Sequence, residues 1–443
     1  MTPNLQDLQS YGILSLQNCS CFEVFMKNTT FSRFPIDNSA ILYLALIRRD
    51  HTNTYRFTME LKETICPATL QQAVDRIYRR FPTIIAGFQS GFFRCYQIPA
   101  EAPPQVQPDP GCLITMTGEE IRRCAFRIYY RDNTIIMEAF HALTDGYGAV
   151  ACFTTLAAEY LRLKHGIHIP VCETLVDLQQ DPTIQELEDA YLEYEKGKPL
   201  HLPSRYAYQL PGGNGCRNTV FTETIQLPAK RILEAAHTYG VSPTSLISAV
   251  MASSIMEVQQ RHPGKKIRPV RIMVPVDLRK MFPSRTFRNF ILYVLPTMEP
   301  DDSSNPISEL LSSFTDQIRS QLEPSRLASI IAYNVRTQNA WYFRIIPLRL
   351  KLAFMRLAYR YFGESNSSIT LTNLGNVRLS KEMQPYVENI QVTLTPRANS
   401  PYNCAIISCN GQLSIQISRF LENSELEGIF REKLEALLLG DNL

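Results

Sequence analysis

Apolar residues recur along this chain with two periods, one close to two residues and one close to 3.6. Runs that alternate, or that are rich in β-branched and aromatic residues, predict strands over 41–48, 54–61, 121–130 and 134–140. The polar residues at 131–133 are typical of the turn of a hairpin between the last two strands. The first part of the chain is therefore expected to contain antiparallel sheet.

Helical spacing appears between and after these strands. A helix over about 68–80 follows Pro67, a residue that suits the first turn of a helix, and a second helix is expected over about 147–164. The later part of the chain has the same kinds of pattern. Its predicted elements are a strand over 218–227, a helix that begins at 242–244, strands over 267–276 and 290–296, helices over 305–321 and 345–362, a hairpin turn at Asn410–Gly411 and a closing helix that ends at Gly440.

Hairpins and helices occur together in both parts, which predicts an α+β fold rather than strict β–α–β alternation. Residues 171–215 are polar and acidic, and they end in the turn-forming run Pro211–Gly215. We therefore expect an N-terminal half over 1–170, a crossover linker over 171–215 and a C-terminal half over 216–443.

Composition excludes several classes of protein. The 443 residues are 45% hydrophobic and 20% charged, with a net charge of +3, which fits neither a strongly basic nucleic-acid binder nor a disordered chain. The 11 cysteines are an odd number and contain no C-x-x-C pair, so reduced thiols are expected. The first twelve residues lack the basic and apolar regions of a signal peptide, and we expect a cytoplasmic protein.

No zinc pattern is evident in the sequence. The only group worth weighing consists of Cys19, Cys21 and Cys172 with His165 and His168, and its spacing matches no known zinc site. No metal is therefore expected.

Candidate chemistry centres on the run Phe-His-Ala-Leu-Thr-Asp-Gly over 140–146. A predicted strand delivers His141 to its end, and a loop with Asp145 and Gly146 leads into a helix. A neutral imidazole is a natural general base near pH 7, Asp145 can hold the turn, and Gly146 removes a Cβ where a substrate would approach. The alternative is a buried, hydrogen-bonded histidine at a strand end. A chance H-x-x-x-D-G in such a chain has a probability of roughly 1–2%.

This motif resembles that of the chloramphenicol acetyltransferase-like superfamily, which includes peptide-synthetase condensation domains, BAHD acyltransferases, wax ester synthases and alcohol acetyltransferases. Three other segments support the resemblance. Pro-Val-Asp-Leu-Arg over 275–279 is similar to the family's P-V-N-L-R, Arg-Asn-Phe over 288–290 is similar to its G-N-F, and 368–375 is similar to the S-N-L-G strand of bacterial alcohol acetyltransferase-like proteins.

The resemblance implies two similarly folded halves that form a pseudo-dimer with a tunnel between them. It implies that His141 is the general base and that Asp145 is structural, in an ion pair with Arg279. It places Thr372 and Asn373 on the acceptor side, near the developing oxyanion. The alternative for these two residues is a polar pair at a strand end before a turn.

The expected reaction is direct acyl transfer from a thioester, with acyl-CoA as co-substrate and no bound cofactor, to the hydroxyl of a hydrophobic alcohol. No G-x-S-x-G nucleophile motif is present, so no covalent acyl-enzyme is expected. Phe140 stands where many relatives have a first histidine, which disfavours a chloramphenicol-type or peptide-condensing enzyme. The alternatives are a stand-alone condensation-type enzyme with a carrier-protein donor and an amine or alcohol acceptor, and a non-catalytic binding protein.

A basic segment over 344–362 contains five arginine and lysine residues and no acidic residue. As an amphipathic helix, it could contact an anionic membrane or an acidic acyl-carrier protein. The alternative is a packing helix with a solvated basic stripe.

Overall fold

A computed structural model of the chain describes residues 33–48, 51–202, 205–212, 219–262, 266–397 and 400–440. Cys19 and Cys21, which belong to the group considered above as metal ligands, lie outside these residues. So does the part of the predicted linker over 213–215.

The described residues form strands and helices throughout, as expected for an α+β fold. The strands are β1 (Phe34–Pro35), β2 (Thr54–Leu61), β3 (Ala86–Ser90), β4 (Cys95–Pro99), β5 (Val106–Pro108), β6 (Phe126–Arg131), β7 (Thr134–Phe140), β8 (Phe221–Pro228), β9 (Val270–Asp277), β10 (Ile291–Val294), β11 (Thr297–Met298), β12 (Ile369–Val377), β13 (Val387–Leu394), β14 (Tyr402–Cys409) and β15 (Gln412–Arg419). The α-helices are α1 (Asn38–Ala45), α2 (Pro67–Ile77), α3 (Gly118–Arg123), α4 (Gly146–His165), α5 (Ile184–Leu187), α6 (Ala229–Thr238), α7 (Pro243–Arg261), α8 (Ile307–Gln321), α9 (Pro324–Asn339), α10 (Trp341–Ile345), α11 (Leu348–Ala358) and α12 (Leu426–Leu439).

Two large sheets organise the molecule. The first has the order β13-β2-β7-β6-β5, and the second has the order β10-β9-β12-β14-β15-β8, with β11 on β9. A long helix packs in the core beside each sheet, and both helices are buried over most of their length. These helices are α4 in the first core and α7 in the second.

One strand of the first sheet comes from the C-terminal part of the chain. β13 pairs antiparallel with β2, so that Ile390 lies opposite Met59 and Val392 lies opposite Phe57. The core of the first sheet also takes in Ala405 and Ile407 from β14. The division at 170 and 216 stays a prediction, but the two large sheets do not follow it strand by strand.

The predicted strand over 41–48 is wrong, because this segment contains helix α1. Asp37 caps the helix, since its side chain accepts hydrogen bonds from the backbone of Ser39 and Ala40. Short runs of Ile, Leu and Tyr fit either structure, and the cap decides between them. Likewise, the predicted strand over 121–130 begins later than expected, because helix α3 occupies its first residues.

Eight cysteines are described, and all of them are free thiols. Among the described residues, no single helix is long and apolar enough to cross a membrane. The pair α6 and α7 meets the length and composition criteria only when taken together, across a bend of 87°.

Candidate active site

His141 follows directly on strand β7 and precedes helix α4. Its backbone N–H donates to the carbonyl of Asn53 at 2.8 Å, which continues the pairing of β7 with the segment before β2. Phe140, immediately before it, is completely buried and anchors the strand end in the core. His141 is half-buried as a residue, and its Nδ1 is shielded from solvent. The scaffold therefore fixes the imidazole at a strand end inside the protein.

Two tyrosines form the walls around this imidazole. The Tyr43 ring of α1 stacks on it with a centroid distance of 4.3 Å and an interplanar angle of 15°. The Tyr43 hydroxyl lies 3.5 Å from Nε2 of His141. Tyr55 of β2 meets the ring edge-on at a centroid distance of 5.3 Å. Nε2 is thus the nitrogen that faces a hydroxyl group.

The other ring nitrogen faces the interior. Nδ1 of His141 and Oδ1 of Asn289 are both buried, and within the described part of the chain neither has a hydrogen-bond partner. Asn289 is held by its amide, which donates to the carbonyl of Ala142 at 3.3 Å. A small movement would let a protonated Nδ1 donate to Asn289 Oδ1. This tautomer would leave the lone pair on Nε2, where a general base needs it.

Burial sets the protonation state of His141. Desolvation lowers the pKa of the imidazole below its ordinary value of 6.5, and the His141 carbonyl, Asp145 and Asn289 oppose the shift to a smaller extent. The ring is therefore neutral at physiological pH, as a base must be before it accepts a proton.

Asp145 and Arg279 form the ion pair that the resemblance implied. Arg279 Nη1 lies 2.8 Å from Asp145 Oδ2, and both side chains are buried. Asp145 also caps α4 by accepting from the backbone N–H of Tyr147 and Gly148, and it accepts from Phe290 N–H at 2.8 Å. One carboxylate therefore joins the start of α4 to the loop over 286–290.

The guanidinium of Arg279 is fully engaged on its other sides. It donates to the carbonyls of Thr286 and Arg288 and to Asp277 Oδ1 at 2.7–2.8 Å. The Tyr147 ring lies over it at 4.5 Å. Neither Asp145 nor Arg279 has a free group with which to meet a substrate, which indicates a structural role for this pair.

Two glycines follow Asp145, and they face different neighbours. A Cβ on Gly146 would lie 2.3 Å from a terminal methyl of Leu374, a side chain that can move. A Cβ on Gly148 would lie 2.2 Å from Thr144 Oγ1 and 2.4 Å from the backbone oxygen of Phe287. The sequence motif ends at Gly146, but the stricter steric requirement is at Gly148.

The structure separates Thr372 from Asn373. Side chains alternate along β12, and buried Leu371 and Ile369 point into the second core. Asn373 lies on that same side, where it donates to Thr244 Oγ1 at 2.9 Å at the start of α7. Thr372 and Leu374 lie on the opposite side, and Leu374 reaches Gly146. The structure thus turns Thr372, but not Asn373, toward the half that carries His141.

Arg288 stands where the family pattern has glycine, and it is buried here. It donates to the carbonyl of Pro35 and lies 3.6 Å from Asp37, the cap of α1. It therefore holds the start of the helix that carries Tyr43. The sequence marked Arg288 only as a departure from the family, and nothing in it singled out Tyr43, which was assigned to a strand.

Comparisons with known proteins give matches in structure only. The sequence matches no known family in a scan of family profiles. It also matches no curated protein sequence.

Solved structures match over nearly the whole chain. Polyketide synthase associated protein 5 from Mycobacterium tuberculosis is 15% identical with a TM-score of 0.59, covering 92% of this chain and 98% of its own. A trichothecene 15-O-acetyltransferase from Fusarium sporotrichioides is 11% identical with a TM-score of 0.56, covering 92% and 95%. A wax ester synthase/diacylglycerol acyltransferase from Marinobacter aquaeolei is 13% identical with a TM-score of 0.51, covering 92% and 99%.

An epimerization domain of tyrocidine synthetase B and the first condensation domain of the CDA synthetase are similar to the same extent, with TM-scores of 0.56 and 0.55. At these identities the comparisons establish the fold, whereas the more specific likeness to bacterial alcohol acetyltransferases stays a prediction. The chain shares its α+β fold with these acyltransferase and peptide-synthetase structures, and the sequence predicted a fold of this class.

Proposed function

We propose that this chain is an O-acyltransferase that moves an acyl group from a thioester, with acyl-CoA as co-substrate, to the hydroxyl of a hydrophobic alcohol. The observation that carries the proposal is the setting of His141. Tyr43 stacks on the ring, burial lowers the pKa of the imidazole, and Nε2 lies 3.5 Å from the Tyr43 hydroxyl. The fold, shared with several acyltransferases, is consistent with this chemistry.

The proposed reaction has two steps. His141 Nε2 takes the proton of the acceptor hydroxyl as its oxygen attacks the thioester carbonyl, which forms a tetrahedral oxyanion. The oxyanion then collapses, the carbon–sulfur bond breaks, and the imidazolium returns the proton to the departing thiolate. General-base catalysis of this kind contributes roughly 10²–10⁴ in rate.

The remaining residues have supporting roles in this proposal. The pair of Asp145 and Arg279 holds the loop that carries His141, and it is most valuable as a geometric brace because a desolvated ion pair is not reliably stabilising. Thr372 faces the same side as Leu374 and is the better candidate of its pair for a donor to the oxyanion. Such a donor contributes on the order of 3 kcal/mol to transition-state stabilisation.

The decisive experiment measures thiol release from acyl-CoA esters of increasing chain length with a panel of alcohols. His141→Ala is expected to lower turnover by about 10²–10⁴. His237→Ala, which removes an exposed histidine from α6, is the matched control and should leave turnover unchanged. Near wild-type turnover in His141→Ala would remove His141 as the base.

Two outcomes would favour the alternatives. Transfer from an acylated carrier protein but not from acyl-CoA would identify a condensation-type enzyme. Folded protein that releases no thiol from any donor with any acceptor would indicate a non-catalytic binding protein in the reducing cytoplasm we expect for it.

A further inference from the structure

An exposed apolar face lies on one side of the molecule. On α11 the side chains of Leu350, Phe354 and Leu357 are exposed, at positions i, i+4 and i+7 of one helix face. The opposite side of this helix, with Leu348 at its start, packs on the first core. The helix is therefore apolar on two sides, whereas the sequence pattern predicted a single apolar side.

Neighbouring segments carry further exposed apolar side chains. Trp341 and Ile345 of α10 precede α11 by a few residues, and Trp341 is 73% exposed. At the tip of the β3–β4 hairpin, Phe92 is 71% exposed, and its carbonyl accepts from Leu348 N–H at 2.8 Å. We call six exposed side chains the apolar face: Phe92, Trp341, Ile345, Leu350, Phe354 and Leu357.

The charges of the segment that carries most of the apolar face all have one sign. The segment 341–362 contains five basic residues and no acidic residue. Arg344, Arg349 and Arg360 are exposed, and within the described ranges none of them forms an ion pair. An amphipathic helix with arginines beside exposed Trp, Phe and Leu is typical of segments that lie in the interface of an anionic membrane.

The apolar face is also close to the candidate active site. Arg356 of α11 donates to the backbone carbonyls of Ala45 at 2.8 Å and Ile47 at 3.2 Å, at the end of α1. Helix α1 carries Tyr43, which stacks on His141. A single layer of helix thus separates the apolar face from the residue that covers the imidazole.

We propose that the apolar face binds the surface of an anionic lipid bilayer, with the arginines on lipid phosphates and the aromatic and aliphatic side chains among the acyl chains. A second part rests on the proposed function: docking would bring α1, which carries Tyr43, close to the bilayer, so that a hydrophobic acceptor would reach His141 from the lipid side. Membrane binding itself does not depend on catalysis.

The test is co-sedimentation of the full-length protein with phosphatidylcholine vesicles, with and without phosphatidylglycerol. Trp341 is the only tryptophan of the chain, so its fluorescence reports on this face directly. We expect binding to the anionic vesicles, together with a shift of the emission to shorter wavelength. Absence of either effect would overturn the proposal.

Two variants test which residues are responsible. Phe354→Glu places a charge on an exposed position and should weaken binding at least about tenfold. The double variant Arg344→Gln/Arg349→Gln should weaken binding to anionic vesicles by about 25-fold, since each arginine near such a surface contributes about fivefold. Leu233→Glu, at a similarly exposed leucine of α6, is the control and should bind normally.

Failure of this proposal is distinguishable from failure of the proposed function. His141→Ala should bind vesicles normally, and Phe354→Glu should still release thiol from short, water-soluble substrates. Equal vesicle binding by Phe354→Glu and the unchanged protein would contradict the assignment. So would a dimer, or a complex with an acidic carrier protein, that forms in the absence of lipid and is lost in Phe354→Glu.

Discussion

Burial of the His141 ring determines how the proposed activity depends on pH. Desolvation lowers the pKa of this imidazole, so the neutral, basic form persists below the ordinary value of 6.5. Activity that needs neutral His141 is present above the lowered pKa and is lost as the pH falls through it. A pH profile of kcat/KM is therefore expected to have its acid limb below 6.5, and a midpoint above that value would contradict the prediction.

The ion pair beneath the motif gives a prediction about stability. Arg279→Ala leaves the buried Asp145 carboxylate and two carbonyls without their partner, and it should lower the free energy of unfolding by about 3–5 kcal/mol. Arg319→Ala removes the same residue type from an exposed pair with Asp316 at 3.8 Å and should cost about 0–1 kcal/mol. Urea unfolding measures both, and equal losses would argue against the brace.

At the scale of residues, the sequence located His141, Asp145 and Arg279 because each lies in a short, recognisable run. It could not locate Tyr43 or the orientation of Asn373. Tyr43 contacts His141 from a position 98 residues earlier in the chain. The side that Asn373 faces depends on which face of β12 packs in the second core. Such contacts are set by tertiary packing, which no local pattern contains.

The packing at the start of helix α4 leads to a prediction about the stability of glycine variants. In the interior of a helix, Gly→Ala normally raises the free energy of unfolding by about 1 kcal/mol. Gly148→Ala would instead force its Cβ against the backbone oxygen of Phe287 at 2.4 Å, and it should destabilise by about 1–3 kcal/mol or more. Gly146→Ala meets only the end of the Leu374 side chain and should cost less.

Thermal unfolding of the two glycine variants, compared at equal concentration, checks this order. If Gly146→Ala proved the more destabilising of the two, the contact between α4 and the 286–290 loop would not be the constraint we infer. The additional variant Leu374→Ala should relieve Gly146→Ala and leave Gly148→Ala unchanged.

Helix α1 explains where prediction of the elements failed. Long periodic segments such as α2, α7 and α8 were predicted within a few residues, because their apolar spacing continues over several turns. Helix α1 has only eight residues, and its cap, Asp37, is buried against Arg288 from the later part of the chain. Its helical state therefore depends on a partner that the local sequence does not reveal.

For the whole molecule, the α+β class was predictable, but the path of the chain was not. Hairpins such as β14–β15, with its Asn410–Gly411 turn, are local and were predicted. The pairing of β13 with β2 joins segments more than 300 residues apart, and neither strand carries a signal for the other. Long-range pairing of this kind is decided by which surfaces remain unpaired after the local structure has formed.

The crossing strand implies that the two cores unfold together. Without β13, strand β2 loses one of its two partner strands, and the contacts that bury Phe57 and Met59, which are 2% and 0% exposed, are weakened. We therefore expect the buried thiols of Cys152, in the first core, and Cys404, in the second, to become reactive at the same urea concentration.

Labelling at increasing urea, followed by mass spectrometry of the peptides, measures each thiol separately. Ile390→Asp, in the middle of β13, should lower both midpoints together, because it weakens the strand by which the C-terminal part of the chain joins the first core. Labelling of Cys404 at a lower urea concentration than Cys152 would mean that the second core opens by itself. In that case β13 would be only an edge strand added to an independent first half, and the site at His141 would rest on one half alone.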